Sequence, residues 1–388
     1  MVYCKICDSD DCEIEEHQFT IGKVTNKKEI SGSSPPEIFV GRWNYPNVYT
    51  GILSPEEYGN TKILSSPEIW HSKKLSIAEI LANRNKLIYG RTQNNIKNLQ
   101  CNFISVMKEV AMTESSISTE LTLKKPIETQ KEQAPNNPLI SRAAEIIHAR
   151  LQENTKIKPK VDYLVSDIHS KSKDSIIELS KSPIETSTIS KILSAGLLGL
   201  KNNRKLVPTR WSITAVDDTI SKANLEKVRF YPEIKEILTF SSEYLGNHYE
   251  FLLLPNNYQF EVIEISLSNA GVWKDYESLT PRKSYADSVT GAYYANRLAL
   301  SEYLQKIKRQ ASCLVIREIR PEYSSPLGVG ILRQISREAF QSIPEKSSTL
   351  KDALNKIQSR LKQPISNYTS KSIILNQPTQ KSISSFLI

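Results

Sequence analysis

The sequence lacks any apolar run of about 18 residues, so we expect no segment that spans a bilayer and no membrane partner. Glycine is scarce, at 13 of 388 residues, and no long heptad pattern occurs, which excludes collagen-like and coiled-coil chains. A wholly disordered chain would have fewer apolar residues than the 39% found here and more net charge than +9. We therefore expect one large folded domain or two ordinary ones.

Cysteine is also scarce, and its five residues are unevenly placed. Three of them lie within the first 12 residues, which indicates a reducing compartment and a metal site and not a disulfide framework. The first 17 residues are polar and acidic, so we expect no signal peptide. These features predict a cytoplasmic protein, which we expect to associate with the nucleoid.

Positive charge exceeds negative charge, with 51 Lys and Arg against 42 Asp and Glu. Residues 1–20 contain six acids and one base, so the remainder is more basic than the average. A basic body favours anionic partners, most often nucleic acid. The simpler alternative is that a Lys- and Ile-rich composition raises the isoelectric point without any such partner.

Strand and helix patterns are mixed along the chain without regular alternation, which favours an α+β fold. We expect a mixed sheet with packed helices, a small amino-terminal zinc-binding module and a flexible carboxy-terminal tail. The expected boundaries are 1–22 for the zinc module, 37–200 and 201–363 for two regions that form one compact unit, and 364–388 for the tail.

Apolar spacing and turn residues predict individual elements. Leu99–Val110 is of uncertain type, and Thr113–Asn137 is either a loop or an exposed strand. The predicted strands are Glu37–Arg42, a hairpin made of Tyr249–Leu254 and Gln259–Ile265, and the buried strand Ser312–Ile319. The predicted helices are Ser76–Tyr89, Pro138–Leu151, Ile189–Leu198, Ala292–Lys308 and Leu350–Leu361, followed by a polar tail from Pro364.

A metal-ligand spacing near the amino terminus is the most specific pattern in the chain. Cys4, Cys7, Cys12 and His17 are separated by gaps of two, four and four residues, which resembles a zinc knuckle with the last two ligands exchanged. A module of about 20 residues cannot bury a core, so bound zinc would supply its folding energy. We predict a structural zinc site; a carboxylate in place of His17, or free cysteines in a loose tail, are the alternatives.

The carboxy terminus carries a second short motif. Gln380, Ile383 and Phe386 are three residues apart, so a 3₁₀ turn places Ile383 and Phe386 on one face, with Leu387 beside them. This pattern looks like the PIP box, the peptide by which replication and repair proteins bind the sliding clamp PCNA. The second aromatic residue of the usual form is replaced by Leu387, and docking of the segment on the protein's own core is the alternative.

Polar and aromatic groups are dense in the middle of the chain. Arg210 is suited to binding a phosphate, Trp211 to stacking on a base, and Asp217 and Asp218 to holding a divalent cation. An N-cap role for Asp217 or Asp218, before a helix that starts near Thr219, is the structural alternative. The candidate ligand or nucleic-acid site consists of Arg42, Thr209, Arg210, Trp211, Asp217 and Asp218.

Acid–base groups for such a site are available in His248, Glu261 and Glu264, although a lone histidine in a loop is more often a surface residue. No P-loop, dinucleotide fingerprint or nucleophile elbow is present in the sequence. The sequence therefore names no reaction.

Several longer segments of the chain form a recognisable set. They are Phe39–Arg42, Tyr45-Pro46, Gly196–Gly199, Leu206–Asp218, Gly291–Arg297, Arg317–Tyr323 and Pro326–Val329. Together these segments resemble the archaeal Nre proteins. The departures from that family are Gly330, where a tryptophan is expected, and Gly291-Ala292, where a glycine pair is expected. The resemblance implies an amino-terminal metal-binding motif, a clamp-binding tail and a role in DNA repair with the sliding clamp.

We therefore expect a DNA repair factor that PCNA recruits through the PIP box and that binds DNA itself, with other repair proteins as further partners. One alternative is a nuclease or transferase acting on nucleic acid or nucleotides, with a site around Arg210 and Asp217. Such an enzyme requires these groups to converge in one concave pocket. Another alternative is an adaptor bound to the clamp.

Overall fold

The computed structural model describes residues 27–127 and 142–376. Its strands are β1 (Glu29–Ser34), β2 (Ile38–Val40), β3 (Asn47–Ser54), β4 (Ile88–Asn95), β5 (Ile117–Leu123), β6 (Arg142–Leu151), β7 (Ile237–Tyr244), β8 (Asn247–Leu254), β9 (Gln259–Ser266), β10 (Val272–Glu277), β11 (Ser312–Ile319) and β12 (Glu345–Ser347). Its α-helices are α1 (Pro67–Ser72), α2 (Ile77–Asn85), α3 (Asn102–Met112), α4 (Pro159–Ser166), α5 (Ser172–Ser180), α6 (Thr186–Ser194), α7 (Thr209–Val228), α8 (Gly291–Ile307), α9 (Val329–Ala339), α10 (Leu350–Gln358), α11 (Ser366–Thr369) and α12 (Ile373–Asn376). The predicted α+β class is confirmed, with two mixed sheets.

Two compact units divide the described residues. The first unit runs to Ile220 and also includes Ser324–Gln334. The second unit contains Ser221–Tyr323 and the chain from Ile335 onward. Two of the three boundaries fall inside α7 and α9, and the first unit is discontinuous in sequence because it includes Ser324–Gln334.

The first unit contains a six-stranded sheet in the order β1-β5-β6-β4-β3-β2. Its neighbouring strands are antiparallel except β4 and β6, which run parallel. Helix α3 packs against β2, β3 and β6, and α6 packs against β2 and α3. In α3, Ile104, Met107 and Val110 are fully buried. Their spacing of three residues puts them on one helix face, which is why this segment forms an amphipathic helix on the sheet.

The second unit contains a six-stranded sheet in the order β10-β9-β11-β8-β7-β12. Strands β9 and β11 are parallel, and the other neighbouring pairs are antiparallel. Leu252, Ile263 and Leu314 form one core with Ala353 and Ile357 of α10. This cluster is the apolar contact that holds the carboxy-terminal helices on the sheet.

Several elements follow the sequence patterns closely. The strand predicted over Glu37–Arg42 contains β2, and the predicted helices in the last half of the chain match α8 and α10. Strand β11 is buried as predicted. The uncertain segment Leu99–Val110 forms most of α3, and β5 lies in the segment that we expected to be a loop or an exposed strand.

Helix α2 starts where the spacing predicts but ends earlier, at Asn85. The Ser76 Oγ accepts a hydrogen bond from the Glu79 backbone N–H, and a Glu79 carboxylate oxygen accepts one from the Ser76 N–H at 2.7 Å. This capping box fixes the start of the helix. The chain then enters β4 at Ile88, because the residues that follow pair with β3.

The helix predicted over Pro138–Leu151 is wrong, since Arg142–Leu151 forms β6. Strand β6 pairs with β4 on one side and with β5 on the other. Ile147 is 69% exposed, so it does not belong to a core-facing helical stripe. The hydrogen bonds that β6 forms with β4 and with β5 therefore stabilise a strand here, although the local spacing of apolar residues is that of a helix.

The hairpin predicted from Tyr249 to Ile265 is also wrong. Strands β8 and β9 both form, but β11 lies between them, with Ile316 aligned with Glu250 on one side and with Ile263 on the other. The connection between β8 and β9 therefore crosses the end of β11, where the Ser312 Oγ donates a hydrogen bond to the Asn257 carbonyl oxygen at 2.8 Å.

The polar tail predicted from Pro364 is folded as far as Asn376. Helices α11 and α12 occupy this segment, and Tyr368 is fully buried against the second sheet. Across the described ranges, we find no helix with both the length and the apolar content that a membrane crossing requires.

Candidate nucleic-acid interface

The turn between β2 and β3 is fixed by backbone hydrogen bonds. Gly41 N–H donates to the Tyr49 carbonyl oxygen at 2.8 Å, and Asn47 N–H donates to the Asn44 carbonyl oxygen at 2.8 Å. Asn44 has a φ of 61°, a left-handed conformation that asparagine tolerates better than most residues. The turn therefore presents its side chains from a defined backbone.

The start of α7 is tied to the end of β2. The Thr209 Oγ1 accepts a hydrogen bond from the Val40 backbone N–H at 2.9 Å, and the Ser194 Oγ donates to the Val207 carbonyl oxygen at 2.6 Å. Thr209, which we predicted as a ligand-binding residue, thus holds the first turn of α7 beside the β2–β3 turn. Arg210 and Trp211 follow it in that first turn.

These connections place aromatic and basic side chains of the two segments together. The ring centroids of Tyr45 and Trp211 are 5.4 Å apart with an interplanar angle of 52°. The Arg42 guanidinium lies over the Trp43 ring, 4.7 Å from its centroid. We call the set Arg42, Trp43, Tyr45, Arg210 and Trp211 the hairpin–helix patch; all five side chains are exposed.

The two segments that form the hairpin–helix patch carry charged side chains of one sign. Neither residues 41–47 nor residues 206–216 contain an acidic side chain, whereas each segment contains an arginine. The amino terminus of a 20-residue helix adds a partial positive charge from its backbone N–H groups. Guanidinium groups bind phosphates and aromatic rings stack on bases, so the chemistry of this surface suits nucleic acid.

Asp217 is not part of this patch. It lies about 10 Å beyond Arg210 along the axis of α7, is fully buried, and pairs with Arg333 of α9. The Arg333 Nε donates to Asp217 Oδ1 at 3.0 Å, and the Arg333 Nη2 donates to Oδ2 at 2.8 Å. The alternative that Asp217 or Asp218 caps a helix near Thr219 is wrong, because α7 starts at Thr209.

Other acidic and histidine candidates have structural partners in the second unit. Glu264 accepts a hydrogen bond from Arg317 Nη1 at 2.9 Å. His248 lies between two carboxylates, with Nε2 2.8 Å from Glu250 Oε1 and Nδ1 3.1 Å from Glu243 Oε2. These contacts give each of these side chains a structural role within the second unit.

Glu261 has a different structural role. Its carboxylate accepts hydrogen bonds from the Ser372 hydroxyl at 2.7 Å and from the Ile373 and Ile374 backbone N–H groups at 2.8 and 3.1 Å. The carboxylate therefore binds the amino-terminal backbone groups of α12, which compensates for its complete burial. Glu261 is an anchor for the carboxy-terminal helices.

The described part of the chain contains no cluster of metal ligands, and its buried cysteine is a packing residue. Residues 27–127 and 142–376 contain no group of three or more His, Cys, Asp or Glu side chains arranged to hold a metal ion. Cys313 is fully buried, and burial raises the pKa of its thiol well above the usual value, so it is a packing residue and not a nucleophile. The predicted zinc ligands Cys4, Cys7, Cys12 and His17 lie outside the described residues, as do Gln380, Ile383, Phe386 and Leu387.

Sequence reasoning identified Arg42, Arg210 and Trp211 individually but missed Trp43 and Tyr45. A signal was present, because a tryptophan and a tyrosine two residues apart in a turn rich in proline, glycine and asparagine have no strand or helix face to bury them. The position of Tyr45 beside Trp211 depends on the contact between Val40 and Thr209, which no local pattern predicts.

Comparison with known proteins gives matches along almost the whole chain. The family models described as "Archaeal Nre, N-terminal" and "Archaeal Nre, C-terminal" match residues 6–274 and 277–386. No solved structure matches the chain.

Three curated relatives are named as DNA repair proteins. "DNA repair protein NreA" of Archaeoglobus fulgidus is 33% identical over 90% of both chains, and "DNA repair protein NreB" of the same organism is 31% identical over 94% of both. "DNA repair protein NreA" of Haloferax volcanii is 30% identical over 92% of this chain and 89% of that one. From these matches, the chain belongs to the archaeal Nre family.

Proposed function

We propose that this chain is a DNA repair factor that PCNA recruits through its carboxy-terminal PIP box and that binds DNA through the hairpin–helix patch. The names of the curated relatives support the role in repair. The spacing of Gln380, Ile383, Phe386 and Leu387 supports recruitment by the clamp. Zinc bound by Cys4, Cys7, Cys12 and His17 has a structural role in this proposal.

The observation that carries the DNA-binding part is the composition of the hairpin–helix patch. Two arginines and three aromatic residues are exposed together on segments without any acidic side chain. The net charge of +9 would add long-range attraction of a polyanion to this surface. A solvated charged face without a ligand would not require three large exposed aromatic rings.

DNA binding is tested with the full chain by fluorescence anisotropy of a labelled oligonucleotide over a range of salt concentrations. We expect binding at low salt that weakens as salt rises, because phosphate contacts release counterions. Replacing Arg210→Gln should weaken binding and reduce the slope of log affinity against log salt by about 1.

Lys235→Gln is the matched control, since Lys235 is an exposed cation of the second unit, outside the patch. It should leave the affinity within about twofold of the wild type at 0.15 M salt, because an exposed charge that makes no phosphate contact is largely screened. Absence of any DNA binding at low salt would remove the DNA-binding part of the proposal.

Recruitment by the clamp is tested separately, by calorimetry with purified PCNA. The full chain should bind with an affinity around micromolar, about −8 kcal/mol, as expected for a short peptide motif. Phe386→Ala should abolish measurable heat because it removes the aromatic anchor, whereas Phe230→Ala, which changes an exposed phenylalanine elsewhere, should not. Unchanged binding by the Phe386 variant would exclude the PIP box as the point of contact.

A further inference from the structure

We infer that the hairpin–helix patch binds unpaired nucleobases, so that the DNA it prefers is single-stranded or locally unpaired, with Trp43, Tyr45 and Trp211 as the stacking residues. This inference rests on the proposed DNA binding and adds the class of DNA and the residues that select it.

The first step is the exposure of the rings. Trp43 is 75% exposed, Tyr45 is 44% exposed and Trp211 is 45% exposed. Trp70, in the same unit, is almost fully buried, so the unit buries a tryptophan where its core requires one. Tyr45 and Trp211 are in contact, and Trp43 lies in the same turn as Tyr45, so these partly free rings offer planar faces to a ligand with aromatic rings of its own.

The second step is the arrangement of the rings. Tyr45 and Trp211 are tilted by 52°, so neither ring lies flat on the other and parts of both faces stay accessible. One face of Trp43 is covered by the Arg42 guanidinium, and its 75% exposure shows that the rest of the ring is open. Planar bases stack on such faces independently of sequence, because every base has a π face.

The third step is the rigidity of the backbone beneath the rings. The Ile96 N–H donates to the Pro46 carbonyl oxygen at 3.0 Å, in addition to the hydrogen bonds within the turn. The Val40 to Thr209 hydrogen bond connects the two segments. Because the backbone is already ordered, DNA binding does not require the loss of conformational entropy that ordering a flexible loop would cause.

The fourth step separates single strands from duplexes. In a duplex the faces of the bases are covered by their neighbours, and the backbone offers only phosphates to a surface of this kind. A single strand offers both phosphates, for Arg42 and Arg210, and free base faces, for the three aromatic residues. The aromatic residues therefore add affinity only for unpaired DNA.

The experiment compares a labelled single-stranded oligonucleotide with a duplex of the same length, by anisotropy with the full chain at one salt concentration. The single strand should bind at least about tenfold more tightly, because at least one of its bases can stack on the patch whereas the bases of the duplex cannot. Trp211→Ala should weaken single-strand binding by about tenfold or more and change duplex binding by less than about twofold. Trp211→Phe should restore most of the single-strand affinity, because a phenyl ring still stacks.

Phe230→Ala is the matched control, since Phe230 is 88% exposed but belongs to the second unit. It should not change either affinity. Equal or tighter binding of the duplex, or an unchanged single-strand affinity in both Trp211→Ala and Trp43→Ala, overturns the inference but leaves the proposed DNA binding in place. Failure of both DNA forms to bind removes the proposed DNA binding itself, and tighter binding of an RNA strand of the same sequence assigns the surface to RNA.

Discussion

At the scale of single residues, the buried pair of Asp217 and Arg333 connects two helices of the first unit. Both side chains are almost completely buried, and two hydrogen bonds join the guanidinium to the carboxylate. Two charges in a dry interior are tolerated only when they are paired and hydrogen-bonded. The aspartate that looked like a metal ligand in the sequence is therefore a structural residue.

Breaking this pair should destabilise the protein strongly. We expect Arg333→Met to lower the free energy of unfolding by about 3–5 kcal/mol, because the buried Asp217 carboxylate loses its guanidinium partner. The double variant Asp217→Asn with Arg333→Met should lose clearly less than the sum of the single variants. Urea denaturation followed by circular dichroism measures all three, and additive losses would show that the two residues do not act as a pair.

Gly330 explains one departure from the family pattern. A Cβ atom at this position would lie 2.6 Å from Pro67 Cγ and 3.0 Å from Pro67 Cβ, which is too close for any side chain without movement of the proline. The first turn of α9 thus lies directly against the first turn of α1 in the first unit. The tryptophan that the resemblance led us to expect has no space here.

At the scale of elements, short-range patterns predicted α8 and β11 because their signals are local: a long segment rich in Ala, Leu and Tyr, and a continuous apolar run. The same reasoning failed for β6, whose partners β4 and β5 are distant in sequence. It also failed for the pairing of β8, since β11 is inserted from a later part of the chain. Which strands become neighbours is decided by long-range packing, and periodicity contains no information about it.

The candidate site shows the same limit. The residue types at Arg210 and Trp211 predicted binding chemistry because a guanidinium and an indole carry it wherever they are exposed. Their grouping with Tyr45 results from a contact across the fold, and the separation of Asp217 results from burial. Sequence therefore supplied the chemistry of individual residues, and the fold decided which of them act together.

Helix α12 should depend on Glu261. We expect Glu261→Ala to increase the rate of amide hydrogen exchange by about tenfold or more for residues 372–376, because three donors lose a charged acceptor in a buried position. Hydrogen-exchange mass spectrometry measures this directly.

Glu236→Ala provides the comparison, as the Glu236 carboxylate is half exposed and pairs with Lys346 at the surface. It should leave exchange in residues 372–376 unchanged, since surface ion pairs contribute little to stability. Equal protection in the Glu261 variant would mean that the apolar contacts of Tyr368 and Leu375 hold this segment without the carboxylate.

At the scale of the whole molecule, the acidic first 20 residues contrast with the basic remainder of the chain. An acidic module is repelled by phosphates, so a metal in it is suited to a structural role and not to DNA contact. The two described units have cores of their own. They should fold whether or not zinc is bound.

The purified full chain should contain about one zinc ion per molecule, as four ligands in one module predict. Cys7→Ser should remove the metal, and Cys101→Ser should retain it, because Cys101 lies in a different part of the chain, at the start of α3. Elemental analysis of both variants, with thermal unfolding recorded in parallel, separates metal loss from global unfolding. A zinc-free wild-type chain after reconstitution would contradict the predicted site.

The position of β11 between β8 and β9 limits how this gene can be divided. The two family models meet between residues 274 and 277, inside β10, so a cut there would divide β10 and leave β7, β8 and β9 in one product and β11 and β12 in the other. The shorter product would carry β11 without either neighbour, and the longer one would expose two unsatisfied strand edges where β11 belongs. The halves recognised by sequence comparison are thus not modules that recombination could exchange independently.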